Sequence, residues 1–119
     1  MRLNQYMDHT LLKQDATKSQ LDRLCDEAAE HGFKTVSINS CWTRHCAERL
    51  AGTGVGITSC ISFPLGACST AAKAAEARQA VADGTTEIDM VLNVGRLVSG
   101  DDDYCTEDIR GVVEAADGR

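Results

Sequence analysis

The chain has 119 residues, of which 43% are hydrophobic and 25% charged, a composition typical of one globular domain with a modest core. Its formal net charge of -6 disfavours nucleic acid or an anionic membrane as a partner, because the basic residues are scattered and form no patch. No apolar run is long enough to span a membrane, and residues 1–10 lack the apolar segment of a secretory signal, so a cytoplasmic location is expected.

Short apolar stretches alternate with amphipathic stretches in chain order. Residues 5–10 (QYMDHT) predict a first strand, and residues 15–32 predict a helix in which Thr17 and Gln20 have capping-box spacing and Gly32 is the C-cap. Further strands are predicted at 33–39, 55–63 and 87–94, and further helices at 43–52, 69–84 and 106–118.

The termini of the last two helices carry their own signals. Ser69 or Thr70 can cap the third helix, and Thr106 can cap the fourth. In the fourth helix Glu107 and Asp108 suit the N-terminal dipole. Helical spacing predicts that its buried stripe consists of Ile109, Val112, Val113 and Ala116.

Four consecutive βα units imply parallel strands with right-handed crossovers. Two architectures fit this pattern, a small open sheet with helices on both faces or half of a (β/α)8 barrel. Polar residues of one strand parity converge at the carboxyl ends, which is how a barrel builds an active site; they are Asp8, Ser37, Asn39, Ser62, Asp89 and Asn93. The prediction is an α/β fold, a parallel (β/α)4 half of a (β/α)8 barrel, over residues 1–119 without an internal boundary.

The stretch EIDMVLN, residues 87–93, places a carboxylate inside an apparently buried strand. An unpaired buried charge is costly, so Asp89 should have a compensating partner. The alternative is a solvent-exposed acid on an edge strand.

Four stretches of the chain together resemble the deoxyribose-phosphate aldolase family in order and spacing. They are YMDHTLLK, GFKTVSIN, SFPLGA followed by STAAKAAEARQAVADG, and TEIDMVLNVGRLVSGD. The resemblance covers the whole chain and implies a (β/α)8 barrel of roughly twice this length. It also implies reversible cleavage of 2-deoxyribose 5-phosphate into acetaldehyde and glyceraldehyde 3-phosphate, through a Schiff base and without a metal or other cofactor.

The resemblance assigns roles to four positions. Asp89 matches the family's aspartate at the end of the fourth strand, which moves protons around the carbinolamine and the imine. Thr10 matches a threonine near the substrate, and Asp8 matches an inward-facing acid of the first strand. Ser37 stands where some relatives have a cysteine of the active site.

The resemblance places the Schiff-base lysine, the lysine that lowers its pKa, and the phosphate site on strands six to eight, which this chain does not include. An imine-forming lysine must be desolvated at a strand end, so that its amine is neutral near pH 7. None of the chain's four lysines, Lys13, Lys18, Lys34 and Lys73, is predicted to lie at such a position. The chain alone is therefore expected to be inactive.

Three other patterns favour structural interpretations. The stretch CWTRHC contains Cys41, His45 and Cys46 without the spacing of a zinc site, and the six cysteines are expected to be reduced and mostly buried. His9 should face the helices, opposite to Asp8. The glycines of GTGVG precede a strand, which indicates a turn rather than a phosphate loop.

A half-barrel would have two unpaired edges and an uncovered inner face. We expect the chain to form a homo-oligomer or to pair with a complementary half-barrel. Three functional hypotheses follow. The chain is an inactive N-terminal portion of an aldolase, a non-catalytic binding or assembly paralogue, or a self-associated enzyme that uses an unexpected lysine.

Overall fold

A computed structural model describes residues 2–119, which form one parallel sheet with the strand order β1-β2-β3-β4. The strands are β1 (Asp8–Leu11), β2 (Thr35–Asn39), β3 (Gly56–Ile61) and β4 (Glu87–Met90). The helices are α1 (Lys18–His31), α2 (Thr43–Arg49), α3 (Thr70–Ala82), α4 (Val94–Val98) and α5 (Asp102–Ala115), with 3-10 turns at Leu3–Tyr6 and Ser40–Trp42. The predicted α/β class, with four strands and intervening helices, is confirmed.

Sequential strand order separates the two architectures that the sequence left open. A doubly wound sheet reverses its strand order at a switch point, whereas a barrel adds each strand beside the previous one. Here β1 pairs with β2, β2 with β3 and β3 with β4, all in parallel. The described residues thus form four consecutive units of the singly wound barrel type.

The core lies between the helices and one face of the sheet. Val36 and Ile38 of β2 are fully buried against Leu21 of α1 and Cys46 of α2. A smaller cluster joins β3, β4, α3 and α5 around Ile61. All helices that contribute to these clusters therefore pack on the same face.

The first strand is shorter than predicted. Residues 5–7 belong to the 3-10 turn and its flank, and β1 begins at Asp8. The side chains of Asn4 and Gln5 donate hydrogen bonds to the carbonyl of Gly32 at 2.9 and 2.6 Å. Asn4 also donates to the His31 carbonyl at 2.8 Å. This segment caps the end of α1, and that role requires a turn rather than an extended strand.

Helix α1 begins and ends where its sequence signals predicted. The Thr17 hydroxyl accepts a hydrogen bond from the Gln20 amide, and the Gln20 side chain accepts one from the Thr17 amide at 2.9 Å. Gly32 closes the helix in the left-handed conformation with φ +62°. Helix α2 is shorter than predicted, ending at Arg49 rather than at Gly52.

The region after β4 departs most from the prediction. Strand β4 ends at Met90, and Asn93 caps the short helix α4, which the sequence analysis did not anticipate. Helix α5 begins four residues earlier than predicted, because the Asp101 carboxylate caps it by accepting from the Tyr104 amide. The predicted cap Thr106 lies inside the helix, where its hydroxyl bonds the Asp102 carbonyl at 2.9 Å.

The predicted buried stripe of α5 is only half buried. Val112 and Ala116 are buried, whereas Ile109 is 44% exposed and Val113 is 63% exposed. The two exposed side chains line an apolar groove of about 230 Å³, which they share with residues of β4. No described element lies over this side of α5, so the groove is an apolar surface at the β4 edge of the sheet.

A buried ion pair joins α3 to α5. The Lys73 ammonium contacts the Asp108 carboxylate, and both side chains are 0% exposed. Asp108 also accepts a hydrogen bond from the Thr70 hydroxyl at 2.8 Å. Asp108 was expected to suit the N-terminal dipole of the fourth helix, but it lies inside α5 and is 0% exposed.

Two expectations from the sequence concern the state of the cysteines and the presence of membrane-spanning segments. All six cysteines are free thiols, four of them buried, as predicted for small core residues: Cys25, Cys46, Cys60 and Cys105. A hydrogen bond with Cys25 and burial both raise the pKa of Cys46. Within residues 2–119, no helix has the length and apolar character needed to cross a membrane.

Thiol labelling tests this burial pattern. We expect iodoacetamide to modify Cys41 and Cys68 first in the folded chain, because both are exposed. The four buried thiols should react slowly because they are shielded, and the raised pKa values of Cys46 and Cys60 also lower their thiolate fractions at pH 7 to 8. Peptide mass spectrometry gives the order of modification. Rapid labelling of Cys25 or Cys46 would contradict the described packing of α1 against α2.

Two threonine variants test the helix caps. Thr17→Ala removes a side-chain cap and should lower the free energy of unfolding by about 1 kcal/mol. Thr106→Ala should have no such cost, because Thr106 lies inside α5, where alanine has the higher helix propensity. Urea denaturation of the two variants measures the difference. A comparable loss in both would show that Thr106 caps α5 after all.

Candidate active site

The inner face of the sheet, opposite to the helices, carries polar and small side chains. Alternation along β1 sends Asp8 and Thr10 to this face and His9 to the helix face. The His9 imidazole Nε2 lies 2.8 Å from Glu27 of α1, and this hydrogen bond is the main cause of the lowered pKa of Glu27. The structural role predicted for His9 is confirmed.

The predicted site residues lie in three rows across the inner face. Asp8 is in the first row, Thr10 pairs with Ser37 in the second, and Asp89 lies in the third at the level of Asn39. At about 3.3 Å per residue, the third row lies roughly 13 Å beyond the first. Asp8 is therefore at the amino end of the sheet, away from the carboxyl end where the sequence analysis had placed it.

Asp89 is exposed rather than buried, so it does not need the compensating partner that its sequence context had suggested. It occupies the third position of β4, opposite Cys60 of β3. Solvent at the open inner face provides the solvation that a buried carboxylate would have to obtain from a partner. The carboxylate is thus accessible at the carboxyl end of the sheet.

Cys60, which the sequence analysis did not single out, lies between Asp89 and Ser37. Burial is the main cause of its raised pKa, and the negative charge of Asp89 raises it further. The Ser37 hydroxyl opposes this effect through its contact with the Cys60 sulfur at 3.5 Å. Ser37 itself is 6% exposed and offers little surface to a ligand.

Asp8 belongs to a hydrogen-bonded chain at the amino end of the inner face. Its carboxylate accepts from the Thr35 hydroxyl at 2.7 Å, and Thr35 is 2.9 Å from the Thr58 hydroxyl. Thr10 is exposed, and its hydroxyl donates to the Asp8 carbonyl at 3.0 Å. The structure therefore brings Thr10 and Ser37 together in adjacent strands, and it gives Asp8 a role in linking strands.

A hollow of about 500 Å³ opens at the carboxyl ends of β1, β2 and β3. It is lined by Leu12, Gln14, Asn39, Cys41, Phe63 and Pro64. These residues all lie in or beside loops that follow strands, the location of active sites in barrel enzymes. Asn39 was predicted from its strand parity, whereas no sequence signal marked the loop residues as neighbours.

The lysines do not provide an amine beside Asp89. Lys13 is exposed in the loop after β1, while Lys18 pairs with Asp22 at 2.8 Å and Lys34 pairs with Glu87 at 2.5 Å. Hydrogen bonding to Lys18 is the largest cause of the lowered pKa of Asp22. Lys73 is enclosed with its buried carboxylate partner. The described site thus offers an acid at the end of β4 but no accessible amine directed at it.

The side chains of CWTRHC point to different environments. Cys41 is exposed, Cys46 is 0% exposed in the core, and the His45 imidazole lies 2.7 Å from the Asp22 carboxylate. Gly52 and Gly54 of GTGVG lie before β3, at φ +79° and +82°, and Gly56 is the first residue of the strand. Of these residues only Cys41 lines the hollow at the carboxyl end of the sheet.

Comparison with known proteins gives a consistent result. No family model matches the chain. It is 57% identical over 116 residues to deoxyribose-phosphate aldolase 1 of Mesoplasma florum, covering 98% of this chain and 53% of that protein. It is 53% identical to the deoxyribose-phosphate aldolase of Brevibacillus brevis, of which it covers 52%. The chain spans about half the length of the curated relatives it matches.

The structural comparison agrees with these matches. The tetrameric deoxyribose-phosphate aldolase of Aeropyrum pernix superimposes with a TM-score of 0.87 and 29% sequence identity. The match covers 97% of this chain and 47% of that one. The similarity thus extends over nearly all of the described fold, including β4 and Asp89. By sequence and by fold, the chain is similar to deoxyribose-phosphate aldolases over about half of their length.

Proposed function

We propose that the chain supplies one half of a 2-deoxyribose 5-phosphate aldolase site, in which Asp89 moves protons. One observation carries the proposal. The Asp89 carboxylate is exposed on the inner face at the carboxyl end of β4, in a chain 57% identical to an aldolase. Active sites of (β/α)8 barrels form at this end of the strands.

The proposed reaction needs an amine and a proton carrier. The amine attacks the substrate carbonyl to give a carbinolamine, which loses water to become an imine. Cleavage of the carbon–carbon bond leaves an enamine and releases glyceraldehyde 3-phosphate; protonation and hydrolysis then release acetaldehyde. Asp89 gives a proton to the departing hydroxyl and takes one back as water adds to the imine. The carboxylate can serve both steps because it is exposed and lies on a strand.

We further propose that the chain is inactive by itself. Lys18, Lys34 and Lys73 each pair with a carboxylate, and Lys13 is exposed in the loop after β1, at the opposite edge of the sheet from β4. In this proposal the Schiff-base lysine and the phosphate-binding groups come from a complementary half-barrel. The four-strand sheet, open on its inner face, is consistent with that arrangement.

The open β4 edge also supports a partner-binding role. Ile109 and Val113 expose apolar surface beside the outermost strand, which is the kind of surface that a further βα unit covers in a barrel. A second copy of the chain or a complementary half-barrel could cover it. A non-catalytic assembly protein is therefore the second candidate function. A cytoplasmic location remains a prediction from the sequence.

Complementation tests the catalytic proposal. The chain is co-expressed with the half of the Mesoplasma florum aldolase that it does not match, and cleavage of 2-deoxyribose 5-phosphate is measured. We expect activity only when both parts are present, and a fall of about 100-fold in kcat for Asp89→Asn, because loss of a general acid–base group has effects of this size. Asp103→Asn, an exposed acid on α5, is the matched control and should retain activity.

Borohydride reduction in the presence of acetaldehyde tests the second part of the proposal. The chain alone should give no covalent adduct, while the complemented pair should give one on the partner half only. An adduct on any of the four lysines of this chain would refute its predicted inactivity. Full activity of the complemented Asp89→Asn variant would remove Asp89 from the proposed role.

Association of the chain tests the assembly proposal. We expect light scattering to show a dimer or larger species, because the β4 edge and its apolar groove are uncovered. Val113→Glu should shift the distribution toward the monomer by placing a charge in the groove, whereas Glu114→Gln should not, since it adds no charge there. A compact, monodisperse monomer of the unmodified chain would contradict the proposed association.

A further inference from the structure

Helix α3 extends two charged side chains toward the ends of the strands. Lys73 and Glu76 are three residues apart and therefore project from neighbouring positions of the helix. Lys73 donates a hydrogen bond to the Val91 carbonyl at 3.0 Å. The Glu76 carboxylate accepts from the Ser62 amide at 2.8 Å and from the Ser40 hydroxyl at 2.5 Å. All three partners lie immediately beyond a strand.

The Lys73 contact fixes the backbone that follows Asp89. Val91 is the first residue after β4, and its amide donates to the Ile61 carbonyl of β3 at 3.0 Å. Its carbonyl accepts a hydrogen bond from the Lys73 ammonium, which also forms an ion pair with the Asp108 carboxylate of α5. Apolar side chains of equal volume could fill the same space at similar stability, but they could not donate to this carbonyl.

The Glu76 contacts join the ends of the two neighbouring strands. Ser40 follows β2 and comes directly after Asn39, which lines the hollow at the carboxyl ends. Ser62 follows β3 and has φ +57°, a left-handed conformation that is unfavourable for a residue with a side chain. One carboxylate binds both residues, so it couples the positions of the β2 and β3 ends.

We propose that Lys73 and Glu76 are positioning residues that fix the ends of β2, β3 and β4 relative to one another. Through Lys73 the helix holds the segment that carries Asp89, and through Glu76 it holds the loops that line the hollow. The statement that these residues fix the strand ends is based on the described contacts alone. The catalytic consequence rests on the proposed function, because it requires that Asp89 act on a substrate at the carboxyl end of the sheet.

Hydrogen exchange of the 119-residue chain, followed by NMR, tests the positioning role of Lys73. The double variant Lys73→Met/Asp108→Leu replaces the buried pair with apolar side chains and avoids an unpaired charge. We expect its urea midpoint to stay near that of the parent chain, while the Val91 amide exchanges about tenfold faster after loss of one hydrogen bond. Lys18→Met, at an exposed lysine of α1, is the control and should leave this amide unchanged.

Glu76→Met tests the Glu76 contacts and covers the case in which the double variant fails to fold. Methionine has a similar length, but it replaces the carboxylate with a thioether that is only a weak acceptor for the Ser62 amide and the Ser40 hydroxyl. The Ser62 amide should then exchange about tenfold faster. Glu107→Met, on the exposed face of α5, is the matched control.

The outcomes separate positioning from a purely structural role. A folded double variant with unchanged Val91 exchange would overturn the Lys73 assignment, and unchanged Ser62 exchange in Glu76→Met would overturn the Glu76 assignment. In the complemented aldolase, Glu76→Met should lower kcat about tenfold with KM unchanged, as expected for misplaced groups. If the unmodified complemented pair is inactive, the proposed function fails, whereas the exchange measurements still decide the positioning proposal.

Discussion

The right-handed βα crossover is the constraint on which the rest of this structure depends. Each crossover places its helix on the same side of the parallel sheet, so one face is packed and the other is open. The buried side chains Val36, Ile38 and Ile61 all belong to the helix face. Within the described residues no helix packs on the other face, where buried polar side chains such as Thr35 form hydrogen bonds. Asp89 lies on this open face, where solvent reaches it.

Two kinds of contact organise the sheet around that open face. Hydrogen bonds among Asp8, Thr35 and Thr58 join three strands at the amino end. At the carboxyl end the links come from a helix instead, through Lys73 and Glu76. The amino end is thus tied together within the sheet, whereas the carboxyl end depends on α3.

The exposed surfaces of the chain agree with its length relative to its relatives. It covers 53% and 52% of two curated aldolases, and its uncovered apolar surface lies at the β4 edge, where a fifth unit of a barrel would pack. The α5 stripe is half buried because only one of its sides packs against described elements. Val112 and Ala116 face α3 and the sheet, while Ile109 and Val113 face the side on which no described element lies.

The sequence predicted those features correctly that depend on interactions between residues close together in the chain. The capping box of Thr17 and Gln20 and the left-handed Gly32 set the ends of α1 as predicted, because each involves residues within one turn. The alternation of strands and helices likewise fixed the α/β class, and strand parity put His9 and Asp8 on opposite faces. The cap of α5 was mistaken because Asp101 and Thr106 both have suitable side chains.

The sequence by itself determined the fold class, the family resemblance and the candidate Asp89. Only the tertiary structure decided that Asp89 is exposed, that Asp8 lies at the opposite end of the sheet, and that Lys73 is buried with Asp108. A partial signal existed for the ion pair, since Lys73 falls in helical register with the buried residues Ala77 and Ala80. Its partner is 35 residues away, and no local pattern specifies a contact across that distance. Burial depends on which elements cover a residue, and that is set by the packing of the whole chain.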